Sequence, residues 1–189
     1  NGSDITGASD SQFFVFAIDT TAPSISAASP APGGLYATGT QLNFTITDAH
    51  LAPNVTWEAG FGQIPFPSPW NVSTVGWGDG WWNVTVRAWD TAGNGASSTF
   101  NYALDGNAPV ITLNGPANNS VIASGTTIDL SITDAFFQNA SWNNGSGWNA
   151  LSAPFDIATA GWADGSTTVA VVAFDQLGHW LESNPAEGR

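Results

Sequence analysis

The chain has 189 residues, with 2 Lys+Arg against 15 Asp+Glu, a formal net charge of −13, and neither Cys nor Met. A field of that sign repels phosphate backbones and anionic bilayers, so neither nucleic acid nor membrane insertion is expected, and cysteine chemistry is excluded outright. Both cations are arginine, Arg87 and Arg189, which removes Schiff-base, phosphate-loop and Lys–Asn isopeptide chemistry, while 42% hydrophobic against 9% charged residues suits a folded core.

Residues 1–12 (NGSDITGASDSQ) have neither the basic start nor the apolar middle of a signal peptide, so the chain reads as already processed or cut. No apolar run approaches the roughly 20 residues of a membrane helix. Residues 13–18 (FFVFAI) place Phe14, Phe16 and Ile18 on alternate positions, the mark of a strand with one apolar face. After Asp19-Thr-Thr-Ala-Pro23, the alternation predicts strands near Ser24–Ser29, Gln41–Thr47 and residues 55–58, 70–73, 82–89 and 99–104.

The run then repeats. TTAPSI at 20–25 returns as GNAPVI at 106–111, and TGTQLNFTITDA at 38–49 returns as SGTTIDLSITDA at 124–135, both 86 residues later. VGWGDG at 75–80 returns as AGWADG at 160–165, one deletion accounting for the slip. Leu42, Phe44 and Ile46 find counterparts in Ile128, Leu130 and Ile132, and Trp82, Val84 and Val86 in Thr167, Val169 and Val171. With turn residues every 8 to 15 positions and no helical period, the fold class is all-β: two tandem immunoglobulin-like β-sandwiches, at 20–105 and 106–189, behind an N-terminal strand at 1–19.

Asp19-Thr-Thr-Ala-Pro23, Gly76-Trp-Gly-Asp-Gly80 and Asp90-Thr-Ala-Gly-Asn94 resemble the D-x-T-A-P opening, W-x-D-G turn and D-x-x-G-N strand end of tandem Ig-like repeats from archaeal and bacterial cell-surface proteins. The resemblance implies a surface or secreted module. It does not select among adhesins, surface-layer proteins, stalks and accessory domains.

The two ends of the chain differ from each other. Residues 4–19 align with residues 90–105, pairing Phe14 with Phe100, Phe16 with Tyr102 and Ile18 with Leu104. The chain therefore opens on a last strand without a domain of its own. The second copy, after its penultimate strand, reads DQLGHWLESNPAEGR and offers no counterpart to FNYAL at 100–104, so its own last strand is expected to be missing. A sandwich so built exposes a groove over Val169, Val171, Ala173, Ile128, Leu130 and Ile132, and each buried polar group left unsatisfied costs about 1–3 kcal/mol. The expected filler is Phe13, Phe14, Val15, Phe16 and Ile18 of another copy, giving a head-to-tail polymer by donor-strand complementation.

In this respect the chain resembles glycosylated archaeal surface filaments built by strand exchange, which implies a secreted, extracellular, pilus-like structural subunit serving adhesion or cell–cell contact. The rival reading is an excised pair of repeats from a larger surface-layer protein, adhesin or carbohydrate-binding protein, with tryptophan-bearing loops facing carbohydrate or cell surfaces.

Smaller signals fit a surface protein. Asn-x-Ser/Thr occurs at Asn1, Asn43, Asn54, Asn71, Asn83, Asn118, Asn139 and Asn144, so N-linked glycans are expected at all but the first as the principal attached groups. Asp19, Asp90, Asp105 and Asp175, with Asp48 and Asp134, recur at strand ends, as calcium ligands or as ordinary Asx-turn formers. Trp57/Trp142 and Trp77/Trp162 recur at matched positions and read as core, whereas Trp81, Trp148 and Trp180 have no aromatic twin and read as interface or glycan contacts. His50 and His179 stand in loops without a G-x-S-x-G or H-E-x-x-H motif, so no catalytic role is expected.

Overall fold

A computed structural model describes residues 12–183, and every regular element among them is a β-strand. The first sandwich uses β1 (Ser24–Ser29), β2 (Leu35–Ala37), β3 (Gln41–Thr47), β4 (Thr56–Glu58), β5 (Ile64–Pro65), β6 (Asn71–Ser73), β7 (Gly80–Trp89) and β8 (Gly95–Asp105). Its sheets are β1-β3-β6 and β2-β8-β7-β4-β5. The second uses β9 (Val110–Gly115), β10 (Thr127–Thr133), β11 (Phe137–Asn143), β12 (Trp148–Leu151), β13 (Asp156–Ala158), β14 (Ala170–Asp175) and β15 (Trp180–Ser183), in sheets β13-β10-β9 and β12-β11-β14-β15.

Period-two alternation builds each core. In β3, Leu42, Phe44 and Ile46 are buried while their neighbours turn outward, and in β7, Val84, Val86 and Ala88 are fully buried. Leu130, Ile132, Val171 and Ala173 do the same in the second copy. The repeated tryptophans are core partners: Trp57 stacks on Trp77 with centroids 6.1 Å apart and planes 17° from parallel, and Trp142 on Trp162 at 5.8 Å and 27°. Each W-x-D-G turn ends on a glycine at positive φ, 127° at Gly80 and 139° at Gly165, where a side chain would strain the backbone.

The structure corrects three sequence expectations. The last strand of the second sandwich is not wholly missing, because β15 pairs with β14 from Val171↔Ser183 to Phe174↔Trp180. Those four pairs match Val86↔Ser98 to Trp89↔Gly95 in the first sandwich, so the described residues build the first half of that strand. Conversely, Thr167 and Val169 lie outside any strand, and β14 begins only at Ala170, because among the described residues an extended chain at that place has no neighbour on that edge to bond. Thirdly, β2 is an unforeseen strand, three residues pairing parallel with β8 from Leu35↔Ala103 to Ala37↔Asp105.

Candidate functional site

Residues 12–23 belong to no strand. Within them Phe13 is 91% exposed, Phe14 73%, Val15 95%, Phe16 81% and Ile18 86%. So much apolar surface in consecutive residues is costly in water, each side chain forgoing about 1.5–3 kcal/mol of burial.

The first sandwich holds the homologous sequence in its finished setting. There β8 pairs with β7 along ten positions, from Gly80↔Leu104 to Trp89↔Gly95, and Tyr102, Ala103, Leu104 and Asp105 are buried. Gly33 donates its backbone N–H to the Asn101 carbonyl, Ala103 to that of Gly34 and Thr38 to that of Asp105, so residues 101–105 of β8 are bonded on both edges. Asp79 closes the end, its carboxylate accepting from the Gly106 backbone N–H at 2.8 Å and from Asn107 Nδ2 at 2.7 Å.

The second sandwich has the same frame with that strand's latter half vacant among the described residues. The counterpart of Leu35, Val121, is fully exposed, and that of Tyr36, Ile122, is 36% exposed. Residues 121–123 form no strand. Ile128 and Val169, counterparts of the fully buried Leu42 and Val84, are only half-buried. Of the expected groove residues, Val171, Ala173, Leu130 and Ile132 lie in the core, with Ile128 and Val169 packed against it at its open end. Ser166, Thr167, Thr168 and Ala170 line a shallow groove with Asn143, Asn144 and Gly145. Residues 184–189 lie outside the described residues.

Of the expected calcium ligands, Asp19 gathers with Asp48 and His50, and Asp105 with Asp175 and His179. Asp90 joins neither group. Its Oδ1 accepts from the Asn94 backbone N–H at 2.8 Å and its Oδ2 from Asn94 Nδ2 at 2.6 Å. Burial works to raise the Asp90 pKa, but the bonds from Asn94 and the N–H groups of residues 92 and 93 outweigh it and hold the carboxyl below its ordinary value. The histidines, without a sequence signal beyond their type, each meet an aspartate, His50 Nδ1 lying 2.7 Å from Asp19 Oδ2 and His179 Nδ1 2.6 Å from Asp175 Oδ2.

Asn54, Asn71, Asn83, Asn118 and Asn139 are exposed, whereas Asn43 and Asn144 are half-buried; Asn1 lies outside the described residues. Asn43 Nδ2 is occupied by Ser29 Oγ at 3.1 Å. Trp81 is 64% exposed, Trp148 54% and Trp180 56%.

No protein-family model matches the chain and no curated protein matches it. Solved structures do. Fibronectin(III)-like modules of CbhA from Clostridium thermocellum are 18% identical, with a TM-score of 0.39, covering 84% of this chain and 90% of that one. A titin A168–A169 structure is 12% identical, with a TM-score of 0.43, covering 86% and 95%. The SGBP-B protein of a Bacteroides ovatus mixed-linkage glucan utilization locus, solved with a mixed-linkage heptasaccharide, is 15% identical, with a TM-score of 0.38, covering 87% of this chain and 46% of that one. The fold is that of tandem Ig-like β-sandwiches, and none of the described helices, there being none, could cross a membrane.

Proposed function

We propose that the chain is the structural subunit of an extracellular, N-glycosylated filament, in which residues 13–18 of one copy complete the second sandwich of the next. The observation that carries this reading is internal: the same sequence positions are buried as β8 in one sandwich and exposed before it, while in the other sandwich no described residue pairs with residues 165–170 at that edge. Transferring the β7–β8 register sets Phe14 opposite Val169, Phe16 opposite Thr167 and Ile18 opposite Gly165. On the other edge residues 17–19 meet residues 121–123 in parallel, as β8 meets β2. Phe13 falls opposite Ala170, directly beyond the Val171↔Ser183 pair, so the donated strand continues the line of β15. Burial of Phe14, Phe16 and Ile18 contributes roughly 1.5–3 kcal/mol each, with ladder hydrogen bonds added. Because donor and acceptor are different surfaces, the contact is heterologous and propagates head to tail.

The test is negative-stain electron microscopy with light scattering on the chain and on Phe16→Asp, a substitution at an exposed position that leaves both cores intact. Filaments from the parent chain and monomers from the variant are expected. Monomers from both overturn strand donation. In that event the exposed Trp81, Trp148 and Trp180 support the rival reading, a repeat pair that presents aromatic faces to carbohydrate, measured as quenching of tryptophan fluorescence by oligosaccharides.

A further inference from the structure

We propose that the junction between the two sandwiches binds a divalent cation through Asp105, Asp175 and His179. Asp105 closes β8 in the first sandwich, and Asp175 closes β14 in the second, with His179 four residues further on. One ligand atom from each lies within 4.8 Å of the other two. Both aspartates are fully buried. Asp175 is well served, its Oδ1 accepting from the backbone N–H groups of Leu177 at 2.8 Å and His179 at 2.9 Å, and its Oδ2 facing His179 Nδ1. Asp105 is not: its Oδ2 is buried without a hydrogen-bond partner.

A protein does not bury two facing carboxylates at so short a range without compensation, since the loss of hydration is repaid only by a cation or a proton. One imidazole, even protonated, leaves the group a net negative charge. The donors are two hard oxygens and one imidazole nitrogen, a set suited to Mn²⁺ or Zn²⁺, with Ca²⁺ favoured only if oxygens alone coordinate. Because ligands come from both sandwiches, the ion would fix the angle between them. The related group of Asp19, Asp48 and His50 lacks the orphaned oxygen: Asp19 Oδ1 accepts from the Thr21 backbone N–H and Oδ2 meets His50.

The test is thermal unfolding of tag-free, EDTA-treated protein, titrated separately with ZnCl₂, MnCl₂ and CaCl₂, for the parent chain, Asp105→Asn and His179→Ala. A saturable rise in Tm with at least one ion, lost in Asp105→Asn, is expected. The metal-free Asp105→Asn variant should melt higher than the metal-free parent, because it removes the buried repulsion. His179→Ala, altered at a half-exposed position, should weaken Zn²⁺ and Mn²⁺ at least tenfold more than Ca²⁺. No rise with any ion, or a rise that Asp105→Asn retains, overturns the proposal.

Discussion

Tyr102 and Phe16 hold the same place in successive copies of one sequence repeat, yet Tyr102 is 0% exposed and Phe16 is 81% exposed. The difference lies in the neighbours. Tyr102 pairs with Trp82 and packs in the core of the first sandwich, and Phe16 has no strand beside it. The Tyr102 hydroxyl, however, is buried without a hydrogen-bond partner, a polar group that the phenylalanine at position 16 lacks.

Replacing Tyr102 by Phe should therefore stabilise the chain by about 1 kcal/mol, since an unsatisfied buried hydroxyl is removed with little change of shape. Burial, with Tyr36 nearby, pushes the Tyr102 pKa from 10.0 to about 12. A folded-state pKa above the unfolded one gives stability that is complete below pH 10.0 and lost as pH rises toward about 12. Urea titrations at rising pH should reveal that loss in the parent and not in the Phe variant.

The strand-donation register is open to a covalent check in a chain free of cysteine. Asn83 and Asn101 sit opposite each other in β7 and β8, and their side chains are hydrogen-bonded. Their counterparts are Thr168 and Val15. The double variant Val15→Cys, Thr168→Cys should form intermolecular disulfides on oxidation, seen as a ladder of multimers on non-reducing gels. Moving the second cysteine to Ser166, two residues earlier in the chain, should abolish the ladder. Equal ladders from both would mean collision rather than a defined joint.

Asp90 sets an acid limit on the first sandwich. Its pKa is held below the ordinary 3.8 in the fold, so its contribution is present above that value and lost as pH falls through the lower, folded-state pKa. Asp90→Asn should be less stable than the parent at neutral pH and should show a shallower decline of Tm in strong acid. Parallel Tm-against-pH curves for the two proteins would remove Asp90 as the cause.

Much of the architecture was legible because period-two alternation is a local property of the chain. Leu42, Phe44 and Ile46 announce β3 from adjacent residues, and β1 and β3 fall at the expected bounds. The repeat itself gives residues 13–18 the alternation of a strand, whereas in the structure they are exposed and lie outside any strand. The matched tryptophan pairs fall inside the cores for the same reason, since recurrence follows packing.

Tertiary structure decided what depends on neighbours distant in sequence. The three residues of β2 have too short a run to alternate, and become a strand because β8, far along the chain, offers a parallel edge. WLES at 180–183 carries no apolar pattern, yet extends because β14 supplies carbonyl and N–H partners; Val169, with the stronger pattern, stays outside a strand where no described residue supplies such a partner. Asp105, Asp175 and His179 converge only when two sandwiches meet. Side-chain pattern fixes which face of a strand is apolar, but backbone hydrogen bonds carry no residue identity, so edges, vacancies and junctions become visible only once the sheets are assembled.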